Sequence, residues 1–102
     1  MTEWKRICTV AEIPVLGSRV VSSAHGDIAI FRNSVDEIFA VRDKCPHKAG
    51  PLSQGIVHGR SVTCPLHSWK INLADGEALA PDVGCTQHYP TKVEDDSVFI
   101  QV

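Results

Sequence analysis

The sequence has no apolar run longer than a few residues, whereas a membrane-spanning helix needs about 20 consecutive apolar residues. Its first residues, Met1 to Arg6, contain neither the apolar segment of a secretory signal nor a pair of adjacent arginines. We therefore expect no membrane span and a cytoplasmic location.

Basic charge is also not in excess, since ten Lys and Arg residues face twelve Asp and Glu residues, for a formal net charge of -2. That balance gives no excess of positive charge with which to bind nucleic acid or an anionic membrane. Repeats, low-complexity segments, linkers and the G-x-G-x-x-G motif of dinucleotide-binding folds are absent as well. A chain of 102 residues then predicts one domain over residues 1–102.

Short strands separated by turn residues, without sustained helical periodicity, predict an all-β fold, a small β-sandwich or partly open barrel. Thr9 and Glu12 have the spacing of a capping box, and Pro14 limits the resulting helix to one turn. Three strands are expected to form an antiparallel meander and two more a hairpin. These strands are Arg19 to Ala24, Asp27 to Arg32, Glu37 to Arg42, Tyr89 to Glu94 and Ser97 to Val102.

The middle of the chain has a different composition, with three prolines and three glycines between Lys44 and Trp69. Only Gly55 to Val57 and Ser61 to Cys64 have strand character there. We predict two stiff loops on a small β unit, forming a subdomain at about residues 44–70.

Each of these loops carries one cysteine and one histidine. Cys45-Pro46-His47 is followed, after sixteen residues, by Cys64-Pro65-Leu66-His67. A [2Fe–2S] cluster with two thiolates on one iron and two imidazoles on the other requires this set of ligands. We predict that Cys45, His47, Cys64 and His67 bind one such cluster.

Zinc is the competing metal, because two cysteines and two histidines also make a tetrahedral structural site. Common zinc fingers place Cys with Cys and His with His, whereas here each loop has Cys first and His second. A metal-free domain with these residues in turns is the remaining alternative. Cys8 and Cys85 have no histidine at ligand spacing, and we expect both to be buried thiols.

The Cys-x-His and Cys-x-x-His spacings resemble those of the Rieske family, which implies a Rieske-type fold and single-electron transfer. High-potential members have an extra cysteine in each loop, at the places of Gly50 and Leu66 here, and Ser and Tyr at the places of Trp69 and Ile71. Fewer hydrogen bonds to the cluster stabilise its reduced form less. The resemblance therefore implies a potential near the low end of the Rieske range of about −150 to +300 mV, as in soluble Rieske-type ferredoxins.

A longer resemblance covers nearly the whole chain. The loops at residues 45–57 and 62–69 are similar to those of the small subunit of assimilatory NAD(P)H nitrite reductase, as are residues 73–78 and 81–85. Trp4, Ile7-Cys8 and residues 13–17 fit its N-terminus, and residues 90–95 fit its C-terminal hairpin. This likeness implies a large partner subunit that carries FAD, a [4Fe–4S] cluster and sirohaem and reduces nitrite to ammonium.

Four ligands saturate both irons and leave no position for a substrate, so we expect no catalytic residue in this chain and an electron-relay role. An alternative is a ferredoxin that donates electrons to an aromatic-ring-hydroxylating dioxygenase, and another is a structural subunit with a vestigial site. The longer resemblance favours the nitrite reductase subunit, and the intact ligand set argues against the structural one. His25, His58 and His88 are expected on the surface, and Trp69 in the core or over the cluster.

Overall fold

The computed structural model describes residues 4–23, 26–44, 51–65, 69–80 and 84–101. In these ranges the helical elements are two single 3₁₀ turns, Val10–Glu12 and Leu52–Gln54, and no helix is long and apolar enough to cross a membrane. The strands are β1 (Trp4–Thr9), β2 (Gly17–Ser23), β3 (Gly26–Arg32), β4 (Ile38–Arg42), β5 (Ile56–His58), β6 (Ser61–Thr63), β7 (Lys70–Asn72), β8 (His88–Tyr89), β9 (Thr91–Glu94) and β10 (Ser97–Gln101).

The strands form three antiparallel sheets. The predicted meander β2–β3–β4 is present and continues into β8, which gives the middle sheet. The chain ends pair in the second sheet, in the order β1–β10–β9. The central part of the sequence makes the third sheet, in the order β5–β6–β7, and we call it the loop-bearing sheet because both predicted ligand loops adjoin it.

The central strand β3 of the middle sheet is buried on both of its faces over residues 28–31. Ile28 and Ile30 of β3 lie in one apolar cluster with Ile100 of β10. Ala29 and Phe31, on the other face, lie in a second cluster that includes the loop-bearing sheet. Successive side chains of a strand point to opposite faces, so the buried part of one strand packs against both of the other sheets. The predicted all-β fold, a small β-sandwich or partly open barrel, is confirmed.

The C-terminal hairpin and the N-terminal turn follow their sequence signals closely. Asp95 and Asp96 connect β9 to β10 with φ of 49° and 65°, the positive values of a two-residue type I′ turn. Near the N-terminus, Thr9 donates its backbone N–H to Glu12 Oε1 at 3.0 Å and its hydroxyl to the same oxygen at 3.1 Å. Both bonds lower the pKa of the Glu12 carboxyl, and the bond from the backbone N–H has the larger effect.

Several details of the strand prediction are wrong. The bounds differ, since β2 begins at Gly17, β3 at Gly26 and β4 at Ile38, and β5 spans Ile56–His58. The predicted strand ends Ala24 and Val102 lie outside the described residues. Tyr89 pairs with Ala40 of the middle sheet, not with the hairpin, because Pro90 has no N–H to continue one ladder. Strands β1 and β7 were not expected at all. In β1 only Cys8 is fully buried, and in β7 only Ile71 is, so neither strand shows the alternation that predicts one.

Asn33, a buried residue in the turn between β3 and β4, ties the middle sheet to the loop-bearing sheet. Its Oδ1 accepts the backbone N–H groups of Val35 at 3.1 Å and Glu37 at 2.8 Å. Its Nδ2 donates to Glu37 Oε1 at 2.9 Å and to the Gly59 carbonyl at 3.0 Å. Arg60 donates to Glu37 Oε2 at 2.7 Å. The hydrogen bonds from Arg60 and Asn33 lower the pKa of the Glu37 carboxyl, and the bond from Arg60 has the larger effect.

We predict that Asn33→Ala lowers the free energy of unfolding by about 2 kcal/mol, because several hydrogen bonds are lost around a buried position. Urea denaturation of the variant measures this change. Ser34→Ala, an exposed neighbour in the same turn, is the control and is expected to change stability by less than about 0.5 kcal/mol. Equal effects of the two substitutions would contradict the role assigned to Asn33.

Candidate metal centre

Hydrogen bonds to Asp43 close the base of the first ligand loop. Asp43 follows β4, and its two carboxylate oxygens accept the backbone N–H of Ser53 at 2.7 Å and the Ser53 hydroxyl at 2.8 Å. The Ser18 hydroxyl of β2 donates to the Ser53 carbonyl at 2.9 Å. The two ends of the connection that contains Cys45 and His47 are therefore fixed to each other and to the middle sheet.

Backbone pairing closes the base of the second loop. After the β6–β7 pair of Thr63 with Lys70, the Cys64 N–H donates to the Trp69 carbonyl at 2.6 Å. This bond extends the ladder by one position toward the loop. Only residues 65–68, among them His67, lie between its two ends.

A close contact at Gly55 brings the two loop bases together. A Cβ atom at Gly55 would collide with the Thr63 carbonyl oxygen and would lie 2.9 Å from Val62 Cγ2. Only glycine allows the chain leaving the first loop to pass this near to β6. Leu52 and Cys64 then belong to the same buried cluster.

Cys64 is the one predicted ligand among the residues that the structure describes. Its side chain is 1% exposed, at the end of β6, and half-buried Trp69 and Phe39 pack against the cluster that contains it. Trp69 thus has the core-packing role that we weighed for it. The other predicted ligands, Cys45, His47 and His67, lie outside the described residues, and the described ones contain no group of three metal-ligating side chains.

The remaining cysteines and histidines divide by exposure. Cys8 is buried, and burial raises the pKa of its thiol. Cys85 is exposed, so the expectation of a buried thiol is wrong there, because its segment pairs with Glu77 beyond the edge strand β7. His58 and His88 are exposed as expected, and His25 lies outside the described residues.

Residues 77–79 lie along the free edge of β7, and residues 84–86 pair with the chain at 76–78. Ala78 pairs with Ile71, and its N–H donates to the Gly84 carbonyl at 2.8 Å. Gly76 has φ of 77°, and a Cβ there would collide with the Thr86 carbonyl oxygen. This segment, part of which carries the longer family resemblance, therefore belongs to the same β unit as the ligand loops.

A sequence profile of the Rieske-like [2Fe-2S] domain matches residues 3–101. The chain belongs to the Rieske-like [2Fe-2S] domain family. The ferredoxin subunit of a 3-phenylpropionate/cinnamic acid dioxygenase from Photorhabdus laumondii is 38% identical over 98 residues, which cover 94% of this chain and 91% of that protein. The 4β-methylsterol monooxygenase of Methylococcus capsulatus is 50% identical over 46 residues, but these span only 12% of that enzyme.

Two solved structures overlap this Rieske-like domain along its whole length. A protein assigned as the small subunit of an NADH-dependent nitrite reductase from Mycobacterium tuberculosis superposes with a TM-score of 0.89 at 21% identity, covering 100% of this chain and 96% of that chain. The Escherichia coli protein NirD superposes with a TM-score of 0.84 at 26% identity, covering 100% and 98%. The cofactor of this electron-transfer protein is a Rieske-type [2Fe–2S] cluster.

Three residues that shape the site escaped the sequence analysis: Asp43, Ser53 and Gly55. Asp43 directly precedes the first loop and Ser53 follows it, which is a weak signal for a pair that closes a loop. The role of Gly55 has no signal in its own neighbourhood, because the atoms that require a glycine belong to β6.

We predict a graded loss when the loop-closing pair is truncated. Ser53→Ala removes one hydrogen bond and is expected to cost about 1 kcal/mol, whereas Asp43→Ala removes both and leaves the Ser53 N–H unpaired, at about 2–3 kcal/mol. Urea unfolding measures the cost, and iron retained after gel filtration reports on the loop. Equal effects of the two variants would contradict a closing role for the carboxylate.

Proposed function

We propose that Cys45, His47, Cys64 and His67 hold the [2Fe–2S] cluster. The donor set fits, because it supplies two thiolates and two imidazoles from two loops, and the bases of these loops adjoin through Gly55 and Thr63. The buried position of Cys64 among apolar side chains keeps water from that side of the site. When bound, the cluster accepts and releases one electron at a time.

Cys64 and Cys85, which both adjoin the loop-bearing sheet, give a matched test of this ligand set. Cys64→Ser is expected to lower iron and sulfide per chain severalfold and to abolish the rhombic EPR signal of the reduced protein, because an alkoxide is a poor replacement for thiolate. Cys85→Ser makes the same atomic change at an exposed position and is expected to leave iron content and spectrum unchanged. Full iron in the first variant would contradict ligation by Cys64.

We further propose that this chain is the small subunit of an assimilatory NAD(P)H nitrite reductase and relays electrons within that enzyme. The observation that carries the proposal is the resemblance of both ligand loops and of residues 73–78 and 81–85 to that family. The structure lends support, since residues 76–80 and 84–86 are built into the β unit that presents the loops. Those residues are then available to a partner that recognises the loops.

A ferredoxin for an aromatic-ring-hydroxylating dioxygenase is the second candidate. It is favoured by the 38% identity, over nearly the full length of both proteins, to a dioxygenase ferredoxin subunit. Both candidates pass single electrons to a larger redox protein, and they differ in the partner. The partner is therefore the quantity to test.

We expect the holoprotein to co-purify with the sirohaem-containing large subunit of the same organism and to be required for NAD(P)H-dependent reduction of nitrite to ammonium. The measurement is nitrite-dependent NAD(P)H oxidation with and without this chain. Failure to bind the large subunit, together with rapid electron donation to a dioxygenase oxygenase component, would replace the first candidate by the second.

A further inference from the structure

The outer face of the loop-bearing sheet carries one row of side chains directly beside the ligand loops. Ile56 of β5 is opposite Thr63 of β6, and Thr63 is opposite Lys70 of β7. The Leu79 N–H donates to the Lys70 carbonyl at 2.8 Å, which makes Leu79 the next member. We call Ile56, Thr63, Lys70 and Leu79 the outer row.

The outer row exposes two large aliphatic side chains. Ile56 is 71% exposed and Leu79 is 38% exposed, and they stand at opposite ends of the row. The opposite face of the same strands is fully used, since Val57, Val62 and Ile71 are buried in the core. The fold therefore does not need Ile56 or Leu79 for its own packing. Single exposed apolar residues are common on protein surfaces, so the significance of these two depends on where they lie.

Lys70, between the two aliphatic side chains, is exposed and makes none of the ion pairs found in the described part of the chain. Those four pairs use other cations. A partner carboxylate opposite Lys70 would form a charge pair flanked by apolar contacts, which is the composition of an interface that gives both affinity and orientation.

The outer row also adjoins the base of the second loop, where the proposed ligand set places the exchange of electrons. Thr63 immediately precedes Cys64, and Lys70 immediately follows Trp69, whose carbonyl closes the second loop. Electron transfer between proteins falls steeply with distance, so a redox partner has to sit close to these loops. A specific interface covers about 800 Å² per partner, an area that extends from the loops over the neighbouring strands.

We propose that the outer row is part of the docking surface for the large reductase subunit, which presents apolar side chains to Ile56 and Leu79 and a carboxylate to Lys70. This inference rests on the proposed function. It adds the face of the molecule that the partner covers and the chemistry of the partner surface.

The test compares binding of the holoprotein and of matched variants to the purified large subunit. Ile56→Asp is expected to weaken binding about tenfold or more, as for an interface residue of central importance. Val35→Asp makes the same change in charge at a residue that is 70% exposed in the turn between β3 and β4, and it is expected to leave the affinity unchanged. The EPR spectrum and urea midpoint are recorded for each variant, so that a damaged cluster is not mistaken for a lost contact.

Charge reversal gives the second comparison. Lys70→Glu is expected to weaken binding and to reduce its dependence on ionic strength. Lys5→Glu is the control, because Lys5 is also exposed but belongs to β1, in the sheet on the other side of the middle sheet. It is expected to leave the affinity for the large subunit unchanged.

The outcomes separate this inference from the function on which it rests. If the wild-type protein binds the large subunit and Ile56→Asp binds equally well, the docking face is wrong while the subunit assignment stands. If the wild-type protein does not bind, both are wrong. If the wild-type protein self-associates and Ile56→Asp abolishes that association, the row is an interface between two copies of this chain and the proposed occupant is wrong.

Discussion

Burial of β3 on both faces is the constraint on which the rest of the structure depends. Its Ile28 and Ile30 hold the sheet made by the chain ends, and its Ala29 and Phe31 hold the loop-bearing sheet. Removing apolar surface from water contributes about 25 cal/mol per Å², so a strand that packs on two sides stabilises two interfaces at once. The loop-bearing sheet, whose own strands are three residues long, buries Val57, Val62 and Ile71 in this contact.

Hydrogen bonds then convert this packing into a defined site. Asn33 joins the far end of the loop-bearing sheet to the middle sheet, and Asp43 with Ser53 closes the first loop at the near end. Loops between such fixed points lose less conformational entropy when they bind a cofactor than loops with free ends do. In this Rieske-like domain, the scaffold thus holds the bases of the two proposed ligand loops.

The layered architecture also separates the buried face of the loop-bearing sheet from the face proposed for docking. One face of the loop-bearing sheet is buried against the middle sheet, and the other carries the outer row with Ile56 and Leu79 exposed. The sheet β1–β10–β9, made by the two chain ends, packs on the other face of the middle sheet. An electron carrier needs a cofactor near the surface that recognises its partner, and under the proposed assignments the layer order places the ligand loops and the outer row on the same side.

Local signals in the sequence determined a large part of this protein. Alternation in residues 27–32 predicts β3, Thr9 and Glu12 predict the 3₁₀ turn, and the clustered Cys and His residues predict the Rieske-type cofactor, since each depends on residues close together in the chain. Only the tertiary structure shows strands β1 and β7, the pairing of Tyr89 with the middle sheet, the exposure of Cys85 and the requirement for glycine at position 55. Each of these depends on a neighbour distant in sequence, such as β10 for β1 or the Thr63 carbonyl for Gly55. Short edge strands and close backbone contacts carry little local pattern, so only the folded arrangement of the sheets specifies them.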